Sequence, residues 1–208
     1  MLIFKPMFLL NYETLIDPLL AEIRKFTPEF CGMSPGDRVL DVCCGTGAQV
    51  IEYRRRGIIA TGLDIDPSML KAALRNRAKN NLANISFYLA DATELSFVDN
   101  CFDYVSVSLA LHDKSKLARY KVVSEMIRVL KPDGALIFID YPVPHVSRIW
   151  GFLSRTVEFI AGGDHYEGFK DYIISGGLEH ILKVFNLHEE KRDYLKGGLV
   201  AIIKARVT

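Results

Sequence analysis

The chain has 208 residues, 50% of them hydrophobic and 25% charged, which suits one globular domain with a real core. A formal net charge of +1 gives no basic footprint for nucleic acid. Four cysteines, an adjacent pair at 43 and 44 and isolated ones at 31 and 101, offer neither zinc spacing nor a disulfide framework, so the reading is a reducing, cytoplasmic setting with no metal.

The chain starts with an apolar stretch, Met1–Leu10. It lacks a basic leader and a small-residue cleavage site, and Lys5-Pro6 interrupts it, so neither a signal peptide nor a membrane span is expected. Residues 1–35 are read as an N-terminal helical segment, either packed on the domain or serving as a lid over an apolar substrate. Leu15, Leu19, Leu20 and Ile23 fall at helical spacing and predict a helix from Tyr12 to about Phe26.

Strands are then predicted at Arg38–Val42, Ile59–Asp64, Ile85–Ala90, Tyr104–Leu109 and Ala135–Tyr141, with helices at about 47–55, 67–80 and 115–130 between them. Such alternation implies right-handed βαβ units and a Rossmann-like, doubly wound, mostly parallel α/β sheet in a single domain, 1–208. Arg54-Arg55-Arg56 falls where the first of these helices ends, where it complements the helix dipole, so a solvated C-terminal face is expected rather than a phosphate patch. Residues 142–185 carry Trp150, Phe152, Phe159, Tyr166, Phe169 and Tyr172. They are expected to form a helical substrate cap above the carboxyl ends of the strands, although core packing would also use these rings. Leu187–Leu195 and Leu199–Arg206 are joined through Lys196-Gly197-Gly198, too short for a crossover. They must pair as a hairpin, which makes the last strand antiparallel.

The most informative segment is Val39-Leu40-Asp41-Val42-Cys43-Cys44-Gly45-Thr46-Gly47. An apolar strand ends at an acid and enters a tight, small-residue loop that opens a helix, the arrangement of a nucleotide-type site. A dinucleotide fold needs a third glycine three residues after Gly47, where this chain has Val50. Asp41 also places a carboxylate near the loop, which repels a diphosphate and attracts an ammonium. Asp64 ends the next strand about twenty residues on, the place of a ribose-binding carboxylate, whereas Asp66-Pro67 reads as a helix cap. Asp91, after the third strand, suits an adenine amino group or equally a turn. Three acids at three successive strand ends are more specific than any one of them.

Together these segments resemble the class I S-adenosylmethionine-dependent methyltransferases from about residue 36 onward, in particular the small-molecule, type 11-like branch. Val39–Gly47 is similar to the family's glycine-rich motif and Gly62–Leu70 to its ribose segment. Asp91–Phe97 with Phe102-Asp103 resembles the adenine segment and fourth strand, and Val129–Gly134 the turn before the fifth. The resemblance implies a seven-stranded sheet with the last strand antiparallel. It places Asp41, Cys43 and Gly45 along the methionine part of S-adenosylmethionine, Asp64 on the ribose, and Ile65 and Met69 on the adenine face. Asp91 and Ala92 would read the adenine edge, with Ser108 and Leu109 facing the sulfonium. Cys43 and Ser96 depart from the usual glycine and proline, and Cys43 is expected to keep a negative φ.

Methyl transfer, which leaves S-adenosylhomocysteine as product, needs alignment above all and a base only where the acceptor atom carries a proton. His112, just past the fourth strand, is the base candidate, or a loop histidine that shapes the pocket. His145, His165, Tyr141 and Tyr166 are further candidates. The implied partner is a small apolar or aromatic acceptor, quinone precursors included. Neither nucleic acid nor an integral membrane span is expected, and the oligomeric state is open. Aminopropyl transfer on the same fold, and a cofactor-binding partner protein without catalysis, are the rival readings.

Overall fold

A computed structural model describes residues 17–82, 85–144 and 163–208. The expectations for Met1–Leu10, His145, Trp150, Phe152, Phe159 and the His165 side chain lie outside what it describes. Seven strands form a sheet in the order β3-β2-β1-β4-β5-β7-β6. The chain divides into two compact units, one ending at Asp91 and the other starting at Ala92.

The first unit opens with α1, Asp17–Cys31. Leu20, Ile23, Thr27, Phe30 and Cys31 are buried at helical spacing. The helix runs five residues past the predicted end, through Pro28, which has no N–H to give to the carbonyl of Arg24. The Gln49 side-chain amide donates to that carbonyl at 3.3 Å, so the bond lost to proline is replaced from the next helix. Strands β1 (Arg38–Val42), β2 (Ile59–Asp64) and β3 (Ser86–Leu89) pair in parallel around α2 (Ala48–Arg55) and α3 (Pro67–Lys79). Asp66 caps α3 by accepting from the Ser68 N–H at 2.8 Å, with Pro67 in the first turn. The basic run ends α2 and is used structurally: Arg55 pairs with Glu52 at 3.1 Å, and Arg56 donates to the Lys25 carbonyl at 2.6 Å.

The second unit holds β4 (Phe102–Ser108), α4 (Lys116–Val129), β5 (Leu130–Asp140), α5 (Gly163–Ser175), α6 (Gly177–Val184), β6 (Leu187–Leu195) and β7 (Val200–Val207). β4 and β5 are parallel, while β7 runs antiparallel to both β5 and β6. The C-terminal hairpin is therefore present, turned by a 3₁₀ segment at Lys196–Gly198. β5 starts five residues before its predicted start. Leu130 pairs with Phe102, the register then shifts, and pairing resumes at Ala135 with Tyr104. The Lys131–Gly134 turn is thus an irregularity inside a strand. Ala135 to Ile139 are almost wholly buried, as a strand covered on both faces requires.

Candidate functional site

In the first unit the loop after β1 is built around Asp64. Its Oδ2 accepts from the Gly45 N–H at 2.8 Å and its Oδ1 from the Asp66 N–H at 2.9 Å. The Cys44 N–H donates to the Leu63 carbonyl at 2.8 Å, and the Asn76 amide to the Thr46 carbonyl at 3.1 Å. The loop is thereby fixed to the end of β2 and to α3. Its two glycines differ in kind. Among the described residues, a Cβ on Gly45 would meet no atom within 4 Å, so bare backbone faces open space there. A Cβ on Gly47 would lie 2.5 Å from the Phe87 ring, so Gly47 serves packing.

Cys43 corrects the sequence reading, for its φ is +56° rather than negative. The loop turns through the left-handed region at that residue, where a side chain costs about 1–2 kcal/mol. Burial, followed by the charges of Asp41, Asp64 and Cys43, pushes the Cys44 thiol well above its ordinary range. Asp41 is buried, Asp64 and Met69 half-buried, and Asp91 exposed. Ile65, directly after Asp64, is 66% exposed. Val50 is wholly buried at the position where a dinucleotide site needs glycine. A bare glycine backbone tied to the carboxylate at the end of β2, with Val50 in place of the third glycine, suits S-adenosylmethionine better than a diphosphate.

In the second unit Ala92 is buried, and Ser108 and Leu109 are half-buried at the end of β4. Leu109 has φ +49° and donates its N–H to the Ile139 carbonyl at 2.7 Å. A leucine held in the left-handed region marks a strained position that sequence patterning does not reveal.

His112 is 5% exposed. Its Nδ1 lies 2.6 Å from Asp140 Oδ1, and the Asp140 carboxylate also accepts backbone N–H bonds from Leu111, His112 and Tyr141 at 3.1, 3.3 and 2.8 Å. The rings of Tyr141, Phe169 and Tyr172 surround the imidazole, with centroids 4.7, 6.2 and 6.4 Å away. Phe169 and Tyr172 thus pack against the histidine ring, and Tyr166 is half-buried beside them in sequence. The Tyr172 hydroxyl donates to the Tyr141 carbonyl at 2.8 Å, and burial, then the charge of Asp140, pushes its pKa well above the tyrosine range.

Arg119 ties this cluster together and was not singled out by any motif. Fully buried, it donates to the carbonyls of Leu111, Lys114 and Gly168 at 2.9, 2.9 and 3.2 Å and to Asp171 at 3.1 Å. It joins the loop that carries His112 to α5. Gly168 lets the two approach, since a Cβ there would lie 2.3 Å from the Asp113 carbonyl oxygen. Among the described residues no group of three or more His, Cys, Asp or Glu side chains is placed to hold a metal ion, and no helix is long and apolar enough to cross a membrane.

A family model described as a methyltransferase domain matches residues 39–134. An uncharacterized methyltransferase of Synechocystis is 34% identical over 178 residues, 86% of this chain and 79% of that protein. The demethylmenaquinone methyltransferase of Renibacterium salmoninarum is 37% identical over 121 residues, 58% of this chain and 48% of that protein. The chain spans 48% to 65% of the length of the demethylmenaquinone methyltransferases compared. An S-adenosylmethionine-dependent methyltransferase from Aquifex aeolicus superimposes with a TM-score of 0.67 at 18% identity, covering 89% of both chains. That likeness is one of fold.

Proposed function

The chain belongs to the S-adenosylmethionine-dependent methyltransferase family, and from that premise we propose that it transfers a methyl group to a small apolar or aromatic acceptor. The observation that supports this most is the Gly45 loop, held bare by Asp64 beside exposed Ile65. S-adenosylmethionine supplies a methyl group made electrophilic by its sulfonium. By the resemblance, Asp41, Cys43 and Gly45 would hold its amino-acid part, Asp64 the ribose, Ile65 and Met69 the adenine face, and Asp91 with Ala92 the adenine edge, while Ser108 and Leu109 would line the methyl side. His112 takes up the proton of an acceptor that has one.

Two observations favour a ring-bearing acceptor. Tyr141, Phe169 and Tyr172 gather around His112, and relatives at 34–37% identity are named for methylation of demethylmenaquinone. We place a quinol-type ring among the acceptors on these grounds.

Calorimetric titration with S-adenosylhomocysteine, followed by transfer of labelled methyl from S-adenosylmethionine to reduced naphthoquinones and to a metabolite extract, tests the proposal. Binding with transfer to an apolar extractable product is expected. Binding without transfer to any acceptor would favour a cofactor-binding partner role, and preference for NAD would remove the cofactor assignment.

A further inference from the structure

We infer that Glu125 and Arg128 of α4 are positioning residues for cofactor recognition. They hold the segment that follows Ala92 and so set how sharply the chain tells adenine from a base with the opposite hydrogen-bonding edge. The inference rests on the methyltransferase reading, in which Ala92 would meet the adenine edge, and extends it to two residues that act at one remove.

Ala92 to Cys101 form neither helix nor strand, so their backbone groups need partners from elsewhere in the fold. The end of α4 supplies them. The Leu95 N–H donates to Glu125 Oε2 at 2.6 Å, and the Leu95 carbonyl accepts from Arg128 Nη2 at 2.8 Å. The two side chains are joined to each other, Nη2 to Oε2 at 2.7 Å and Nε to Oε1 at 2.8 Å. One bidentate pair thus meets both backbone groups of Leu95, as a neighbouring strand would. Arg128 Nη1 reaches further along the segment, to the Phe97 carbonyl at 2.8 Å and Asp99 Oδ1 at 2.7 Å. All five N–H groups of the guanidinium are therefore spent, three of them on this one segment.

Side-chain packing already anchors the same stretch. Leu95 is buried, and the Phe97 ring meets Phe102 edge-on with centroids 5.2 Å apart. What the pair adds is the direction of the peptide planes. Ala92, itself buried, lies three residues before Leu95, a reach of at most about 11 Å of chain, so a rotated Leu95 peptide is passed on to it. Hydrogen bonds weaken steeply as their angle closes, so recognition by backbone groups depends on this orientation more than burial does.

The test uses the full chain and two ligands. Adenine presents an amino donor beside a ring-nitrogen acceptor, and hypoxanthine a carbonyl acceptor beside a ring N–H, so S-inosylhomocysteine is S-adenosylhomocysteine with that edge reversed. Calorimetry on the wild type should favour S-adenosylhomocysteine by on the order of 100-fold. Arg128→Lys has three donors for five bonds, and Glu125→Ala leaves the Leu95 N–H without this acceptor. Each should cut the preference to about tenfold or less, and the second covers the case of an Arg128→Lys protein that does not fold. Asp99→Asn changes only an exposed partner, 66% accessible, and should keep the preference within about twofold of wild type. In the cofactor-free chain, amide hydrogen exchange at Leu95 should rise by about tenfold or more in the first two variants, with the β5 amides unchanged. A pair that only stabilised the fold would weaken both ligands together and leave their ratio. A wild-type ratio in both variants, or an equal loss in Asp99→Asn, would overturn the inference. A wild-type chain that binds neither ligand would instead count against the methyltransferase reading.

Discussion

The Gly45 N–H donates a 2.8 Å hydrogen bond to Asp64 Oδ2, so one carboxylate both sets the shape of the glycine loop and stands at the proposed ribose position. Each oxygen of Asp64 already has one backbone donor and retains a second acceptor direction. Asp64→Ala should therefore weaken S-adenosylhomocysteine binding by on the order of 100-fold, the loss of two hydrogen bonds to a charged group. Asp64→Asn, which keeps one acceptor oxygen, should lose about tenfold. Calorimetry on both variants checks the order, and equal affinity in wild type and Asp64→Ala would remove Asp64 from the site.

Gly45 and Gly47 should separate binding from stability. Gly47→Ala forces a methyl group into Phe87 and Ala73 at a φ of +72°, and should cost about 2–4 kcal/mol of unfolding free energy. Gly45→Ala meets no atom of the described residues at a φ of +54° and should cost only about 1–2 kcal/mol, while losing cofactor affinity. Urea unfolding and calorimetry together read the contrast. An equal stability loss in the two would show that the space over Gly45 is not open.

Much of this arrangement is legible in the chain because it rests on local signals. The β1 and β2 spans, the Asp66-Pro67 cap and the short hairpin turn follow from alternation, capping and loop length, and Asp64 follows from its place at a strand end. What the sequence does not show is set by distant partners. Pro28 should stop a helix, and does not because Gln49 supplies the missing donor. Lys131–Gly134 reads as a turn and is enclosed by a strand, since its flanks both pair with β4. Arg119 has no motif, and its purpose is visible only when Leu111, Lys114, Gly168 and Asp171 converge on it. Asp140 belongs to the same class, a strand-end residue whose role depends on a histidine 28 positions away.

Cys43 makes the correction of its backbone angle measurable. At φ +56° a side chain is disfavoured and glycine is not. Cys43→Gly should raise stability by about 0.5–1 kcal/mol, net of the extra chain entropy glycine brings to the unfolded state. Thermal unfolding with and without S-adenosylhomocysteine reads it. A lower Tm would mean that contacts of the thiol outweigh the backbone cost.

Arg119 should behave as a buried clamp. Arg119→Met leaves the carbonyls of Leu111, Lys114 and Gly168 without this donor, and should cost about 3–5 kcal/mol. Asp171 is 43% exposed on its side chain, so Asp171→Asn should cost under about 1 kcal/mol although it touches the same guanidinium. If both variants unfold at the same denaturant concentration, the backbone contacts of Arg119 contribute little.

The Glu125–Arg128 pair carries a pH dependence of defined sign. Hydrogen bonding from Arg128 at 2.7 Å, with the Leu95 N–H as a further donor, holds the Glu125 carboxyl below the usual glutamate range. A carboxyl with a depressed folded pKa contributes stability that is present above its unfolded value, about pH 4.3, and is lost as pH falls through the folded value. Glu125→Gln keeps an acceptor for Leu95 but removes the charge. Its Tm should lie below wild type at about pH 7, and the gap should close on acidification below about pH 4. The partial exposure of both partners keeps the effect modest. Thermal unfolding of the two proteins across that range gives the result, and a gap that stays constant with pH would mean that the charge on Glu125 contributes nothing to folding.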